Sequence, residues 1–424
     1  MNNFLYKIRL MLSDDVLRKR ILFVIGALAV FRVAAAIPIP GVDHAALEQF
    51  FRNNQFLGLL NVFSGSGLSN LSIVMLGVGP YITGSIIMQL LTMMSPKLKA
   101  LYHEEGEAGR KRFTQYSRLL TVPLAILQGY GLLVLLSKQG ALGALDPFGL
   151  FVNVMIVTAG SVFLMWLGEL ISEFGVGNGV SLIIFAGIVS RIPTMTSQVL
   201  ATGYDATQIP LYIAFVVAAV IIVAGVIVMT EAERPVPITY AKRVRGGKMY
   251  GGVSTYLPLR VNQAGVIPII FALSILLFPQ LIAGFLSGLA NPTAQVIGEN
   301  LKIWFSGGWL YSIFYFFLVF LFTYFYTAVT FDPEAIATNL QKSGAFIPGV
   351  RPGNATAEHV AKILTRITFA GALFLASVAV LPLAMQSVTG SKTLAIGGTA
   401  LLIVVSVVLD LIKKMDAQLS MREY

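Results

Sequence analysis

Val78-Gly79-Pro80-Tyr81-Ile82 lies in one long apolar segment, and the pattern returns in another as Val266-Ile267-Pro268-Ile269-Ile270. Each Val-x-Pro-x-Ile sets two β-branched apolar residues four apart, on one face of a helix. Proline in a membrane helix marks a bend or break, tolerated where neighbours re-satisfy the freed backbone. In transporters such broken helices frame an ion site lined by polar groups. Here the matching positions are apolar, which points to a constriction closed by hydrophobic side chains. The competing reading is coincidence in a chain rich in Val and Ile.

Composition sets the surroundings of these segments. Hydrophobic residues make up 56% of the 424 and charged residues 12%, against about 25% charged in a soluble domain. The chain is a polytopic membrane protein. It has no cysteine, which excludes disulfides and thiol chemistry. His44, His103 and His359 fall outside the apolar runs. The basic N-terminus resembles a signal peptide, but the run after it ends in Ile37-Pro38-Ile39-Pro40-Gly41 without a small-residue cleavage site. It reads as a retained first span. At about 20 apolar residues per span, ten are expected: 21–37, 72–94, 119–136, 150–171, 179–199, 210–230, 264–286, 309–330, 363–385 and 394–411. Arg191 and Pro193 interrupt the fifth.

Basic residues concentrate on the cytoplasmic side of a membrane. With the N-terminus inside, 24 of the 30 Lys and Arg lie on inside segments, five lie outside, and Arg32 lies within the first span. Both termini are therefore expected in the cytoplasm. Two inside loops are long. Residues 231–263 contain Lys242-Arg243-Val244-Arg245-Gly246-Gly247-Lys248, and residues 331–366 contain Gly344, Pro348, Gly349, Pro352 and Gly353. Long loops without much structure of their own are usually functional. A basic, projecting loop suits an RNA-rich or acidic partner; the alternative is a plain topology determinant.

An odd number of spans per half inverts the second half, so five plus five is an inverted-repeat arrangement. The two Val-x-Pro-x-Ile patterns then fall on the second and seventh spans, which correspond. The fifth and tenth spans correspond too, each opening with small residues, at Gly177-Asn178-Gly179 and at Gly397-Gly398-Thr399. Arg32 is the one charge well inside a span, whereas Glu169, Glu173 and Asp410 sit at span ends within reach of water. Ser64-Gly65-Ser66-Gly67 has no histidine in any span to act as a base, so an intramembrane protease is disfavoured. No phosphate loop or metal cluster appears, and no cofactor or catalytic residue is expected. A secondary transporter of a small solute is the alternative from another class; it would need polar groups converging at mid-membrane. Residues 57–71 are partly apolar, too short to span, and rich in Ser and Gly. They are either an external re-entrant connector or a mobile segment that fills a cavity from outside.

Taken in order, several segments resemble the SecY family, the channel subunits of the bacterial protein-conducting translocon, over essentially the whole chain. They are Phe31-Arg32 with Ile37–Gly41; Asn61-Val62-Phe63-Ser64-Gly65; Pro80-Tyr81-Ile82 with Gln89-Leu90-Leu91-Thr92; and Phe163-Leu164-Met165-Trp166-Leu167-Gly168-Glu169. Gly177-Asn178-Gly179, Val261-Asn262-Gln263-Ala264-Gly265-Val266-Ile267-Pro268 and the run from Lys342 to Gly353 follow.

The resemblance implies an all-α membrane protein, ten transmembrane helices in two inverted five-helix halves around a central hourglass pore. Residues 1–20 would be a cytoplasmic N-terminus, 21–200 and 201–412 the halves, and 413–424 a cytoplasmic tail. It implies a pore ring of Val78, Ile82, Val180, Ile184, Ile270 and Ile403, with Val266 outside it. It implies a plug over residues 61–71, including Asn61, Phe63, Ser64, Gly65, Ser66, Gly67 and Leu68, with no charge in it to make a salt bridge. A lateral gate would run between the second and third spans and the seventh and eighth, along Thr83, Gln128 and Phe278. Arg243, Arg245, Lys248 and Arg351 would receive the ribosome or the SecA motor. The implied partners are the small membrane subunits SecE and SecG, SecA, the ribosome, signal peptides and nascent chains, and lipids, all at the bacterial plasma (inner) membrane. Unfolded polypeptides would cross, and hydrophobic segments would leave sideways into lipid.

Overall fold

The protein is seen in a computed structural model that describes residues 13–41, 67–68, 70–103, 105–138, 142, 146–193, 197, 209–240, 243–245, 248–250, 254–286, 291–305, 308–389 and 397–420. In chain order the helices are α1 (Asp15–Ala36), α2 (Gly79–Met94), α3 (Pro96–His103), α4 (Gly106–Lys138), α5 (Pro147–Phe174), α6 (Gly179–Val189) and α7 (Ile209–Glu231). After them come α8 (Ile267–Leu286), α9 (Pro292–Phe305), α10 (Trp309–Thr330), α11 (Pro333–Lys342), α12 (Asn354–Thr389) and α13 (Gly397–Ser420). Five strands stand among these: β1 (Glu233–Tyr240), β2 (Arg243–Arg245), β3 (Lys248–Tyr250), β4 (Ser254–Arg260) and β5 (Ala345–Phe346). Each of the ten apolar segments contains a helix. Among the described residues, Gly106–Ser137, Pro147–Phe174, Trp309–Lys342 and Asn354–Met385 are long and apolar enough to cross a membrane.

Helix boundaries differ from the expected spans where hydropathy alone was followed. Helix α4 starts at Gly106 and α12 at Asn354, well before their apolar stretches, because charged helix formers carry the helix past the hydrophobic run. Helix α6 ends at Val189, just before Arg191, and its Asn178 N-cap accepts a hydrogen bond from the Ser181 N–H (3.1 Å). Of the rest of the expected fifth span, residues 194–196 and 198–199 lie outside the described residues.

The two long loops were expected to have little structure of their own, and this is corrected. In residues 231–263, β1 pairs antiparallel with β4 from Glu233↔Arg260 to Thr239↔Ser254, and β2 pairs with β3 in the same register, ending at Arg245↔Lys248. The two ladders share one register, and the β1–β4 ladder is roughly 20 Å long at about 3.3 Å per residue. Strand β5, from the other long loop, completes the order β4-β1-β5, pairing only at Thr239 and Tyr240. Pro235 and Pro237 lie on the stretch that β5 does not reach, so their missing N–H groups cost no second ladder. Val236 and Leu259 pack with Ile347 against Val360, Leu364 and Ile367 of α12. The alternation of Val236 with Ile238, and of Leu257 with Leu259, carried this signal, half hidden by the interleaved prolines.

An internal repeat is built into the backbone. The Ile73 N–H donates to the Ile37 carbonyl just past α1 (2.9 Å), and the Val261 N–H donates to the Ala232 carbonyl just past α7 (2.9 Å). Four residues later each segment turns through a left-handed glycine, Gly77 (φ 60°) or Gly265 (φ 61°), and enters α2 or α8. Beside Ile73 lies Gly160 of α5, and beside Val261 lies Gly371 of α12; a Cβ on either glycine would strike the carbonyl oxygen of its neighbour. In α4 the buried Ser117 and Thr121 hydroxyls bond back to the carbonyls four residues earlier (3.2 and 2.8 Å); in α10 Thr323 and Thr327 do the same (2.7 and 2.8 Å). The bond from Ile73 to Ile37 ahead of α2 thus matches the bond from Val261 to Ala232 ahead of α8.

The close approach predicts a cost. Gly371→Ala is expected to destabilise by about 1–3 kcal/mol through overpacking, read as a lower midpoint of thermal unfolding in detergent. The control is Gly26→Ala in α1, where a Cβ meets nothing within 4 Å and the midpoint should not fall.

Candidate functional site

Both Val-x-Pro-x-Ile patterns are helix starts. A helix leaves its first backbone N–H groups without partners, an expensive condition away from water. Proline in the first turn removes one of those donors and is already set to helical φ. Pro80 and Pro268 occupy that turn. The prolines therefore begin helices rather than kink them, and residues 71–78 form turns instead of the first part of an expected span. The first i to i−4 bond then closes inside each pattern, from the Ile82 N–H to the Val78 carbonyl (3.1 Å) and from the Ile270 N–H to the Val266 carbonyl (3.4 Å).

All six residues expected in the ring sit near the N-terminal ends of helices: Val78 and Ile82 at α2, Val180 and Ile184 in α6, Ile270 in α8 and Ile403 in α13. Helix α2 packs on α8, and α6 on α13. Val78, Ile82, Ile184, Ile270 and Ile403 are buried in one apolar cluster, and the half-buried Val180 packs against it. Val266 belongs to the same cluster. Close approach of backbones makes the junction possible: a Cβ on Gly179 would strike the Gly168 carbonyl oxygen, and one on Gly168 would stand 3.1 Å from the Val180 side chain.

Of the expected plug, Asn61, Phe63, Ser64, Gly65 and Ser66 lie outside the described residues. Gly67 and Leu68 are described. Leu68 is fully buried in a second apolar cluster with Ile39, Leu71, Met75, Leu133 and Leu136. The backbone beside it is fixed by the Ile39 N–H to the Leu71 carbonyl (2.8 Å) and by the Ser161 hydroxyl to the Gly77 carbonyl (3.1 Å).

Helix α8 touches both α2 and α4, so the expected gate seam is packed in this structure. Thr83 and Gln128 are buried and Phe278 is half-buried. The Thr83 hydroxyl is spent on the Gly79 carbonyl (3.0 Å). The Gln128 Nε2 has no partner among the described residues. At one end of the seam a cavity of about 910 Å³ opens between Thr92, Met93 and Lys99 on one side and Asp332, Glu334 and Glu358 on the other. Sequence reading missed it because its walls come from segments more than two hundred residues apart. The one local signal was Asp332-Pro333-Glu334, a helix start whose Asp332 carboxylate caps the Glu334 and Ala335 N–H groups.

Arg243 and Arg245 lie on β2 and Lys248 on β3, beside the hairpin tip. Arg351 is exposed, in a tight connection between Gly349 (φ 80°) and Gly353 (φ 99°), and its carbonyl accepts from the Thr356 hydroxyl (2.9 Å).

The unpartnered amide makes a prediction. Gln128→Leu keeps the volume and removes a buried donor, so the packed seam is expected to gain about 1 kcal/mol, seen as a higher unfolding midpoint; a lower midpoint would mean that the amide is bonded.

The sequence pattern of the SecY family matches residues 72–412. The protein translocase subunit SecY of Mycobacterium leprae is 41% identical over 432 residues, covering 96% of each chain. That of Corynebacterium glutamicum is 43% identical over 435 residues, covering 97% of each. Among solved structures, a protein-conducting channel superposes with a TM-score of 0.64 at 19% identity, covering 96% of this chain and 94% of that one. A SecY structure whose plug domain stabilises the closed state gives 0.65 at 20% identity, covering 96% and 93%. The channel of the canine ribosome–channel complex from the endoplasmic reticulum gives 0.61 at 18%, covering 96% and 94%. At these identities the structures establish the fold.

Proposed function

The chain belongs to the SecY family of translocase subunits, a family of protein-conducting channels and not of enzymes, and from that premise we propose how its residues divide the work. It passes unfolded secretory polypeptides across a membrane and releases hydrophobic segments sideways into the bilayer. Ten helices, α1, α2, α4 to α8, α10, α12 and α13, cross the membrane as two inverted halves around an hourglass pore. The distribution of 24 of the 30 basic residues supports cytoplasmic termini and an orientation in the bacterial inner membrane with the hairpin inside.

The waist is the junction of helix starts. Val78, Ile82, Val180, Ile184, Ile270 and Ile403 line it, and the observation that carries this reading is their shared apolar cluster. An apolar constriction dewets, which blocks ions, and forms no bond that would trap a passing peptide. The six ring positions are all Val or Ile, where a small-solute transporter needs polar groups. Residues 61–71 act as the plug. Thr83, Gln128 and Phe278 lie along the gate, where α8 parts from α2 and α4 and an apolar segment partitions into lipid. The cavity between Lys99 and Glu358 is the mouth at which an entering chain reaches that seam.

The energy comes from partners. Arg243, Arg245, Lys248 and Arg351 dock SecA or the ribosome, whose acidic or RNA surfaces suit a basic projection. SecE and SecG complete the membrane complex.

Replacing two opposed apolar residues tests the waist. Ile82→Ser with Ile270→Ser is expected to let the resting channel conduct ions in a planar bilayer, and unchanged conductance would remove these residues from the seal. Docking is tested separately: Arg351→Glu is expected to slow SecA-driven export into inverted vesicles, and export at the normal rate would count against a contact there.

A further inference from the structure

Helix α9 follows α8 at the end remote from the basic hairpin, and nothing in the channel mechanism uses it. Its start is locally encoded. The Asn291 carboxamide oxygen accepts from the Thr293 N–H (3.0 Å), and Pro292 occupies the first turn. At 3.6 residues per turn its residues divide into three faces. Ala294, Gly298, Leu301 and Phe305 form one, buried or half-buried, on the side that packs against the protein. Gln295 and Glu299 form a second, exposed and polar. Val296, Ile297, Ile303 and Trp304 form a third with the polar Thr293 and Asn300 between them, and its four apolar residues are 58, 53, 66 and 57% exposed. A helix seated on protein through one face and otherwise in water has no use for that third face.

Continuity with α10 selects the occupant. The Phe305 ring lies 5.9 Å from that of Phe314, so the end of α9 sits beside the second turn of α10. Helix α10 is apolar enough to cross a membrane. Its own exposed residues, Trp309 (75%), Phe314 and Phe317, continue the apolar surface. Trp309 is the first residue of α10, and tryptophans concentrate at the level of lipid headgroups. We propose that α9 is an interfacial anchor, lying along the bilayer surface with Val296, Ile297 and Trp304 at the headgroup–acyl boundary and Glu299 in water. It fixes the depth of the connection between α8 and α10.

The test uses the full chain in vesicles. Trp166→Phe with Trp309→Phe leaves Trp304 as the sole tryptophan, reconstituted in phosphatidylcholine brominated at a shallow or a deep acyl position. Trp304 emission is expected to be quenched several-fold more by shallow than by deep bromine, and little by aqueous iodide. Adding Val296→Glu and Ile297→Glu should abolish the lipid quenching. The same two glutamates in a chain that keeps only Trp166 should leave the emission of Trp166 unchanged, which separates loss of anchoring from loss of fold. Quenching of Trp304 by iodide, or strongest quenching by deep bromine, would overturn the proposal. Shielding from both quenchers points to a protein cover, a second copy or a small subunit, and overturns it equally.

Discussion

A helix that begins away from water has to deal with its own unpaired N–H groups, and the core of this protein is arranged around that constraint. Helices α2 and α8 meet it in the same way. A left-handed glycine turns the chain, a valine stands at the cap, and a proline removes one donor. The residues ahead of each turn are pinned by one backbone bond to the carbonyl just past the preceding long helix. A glycine on a third helix lets that backbone approach closely. With the turns fixed, Ile82 and Ile270 of the first helical turns lie in one apolar cluster.

The same arrangement links regions that look unrelated. Just past α1, the Ile73 N–H pairs with the Ile37 carbonyl and closes the segment between them. After α7 the chain runs out through the basic hairpin and returns to pair at Ala232 and Val261. The segments between Ile37 and Ile73 and between Ala232 and Val261 therefore hold matching places in the chain, each closed by one backbone bond a short turn ahead of a helix start. The hydroxyls of Ser117, Thr121, Thr323 and Thr327 bond back to their own helices, which satisfies these buried groups without a partner on a neighbouring helix.

Much of this was legible in the residues. Ten apolar runs, the bias of Lys and Arg, and the doubled Val-x-Pro-x-Ile announced a membrane protein with an internal repeat, because hydropathy and charge act locally. The hairpin of residues 233–260 was not legible. Its alternation of Val236 and Ile238 is broken by prolines that argue against a strand until the short reach of β5 is known. Helices α4 and α12 also begin well before the apolar spans they contain, since a helix continues through charged residues once its turns are formed.

Segment identity, count and bias of charge belong to the sequence alone, because each depends on the free energy of moving a short stretch from water to lipid. The Gly77 and Gly265 turns were visible as residues but not as geometry. Whether Val78, Ile82, Val180, Ile184, Ile270 and Ile403 share one cluster depended on four helix starts being brought together by packing between distant segments. So did the cavity walled by Lys99 and Glu358. Such meetings are decided by contacts across the fold, for which no window of sequence carries the distance.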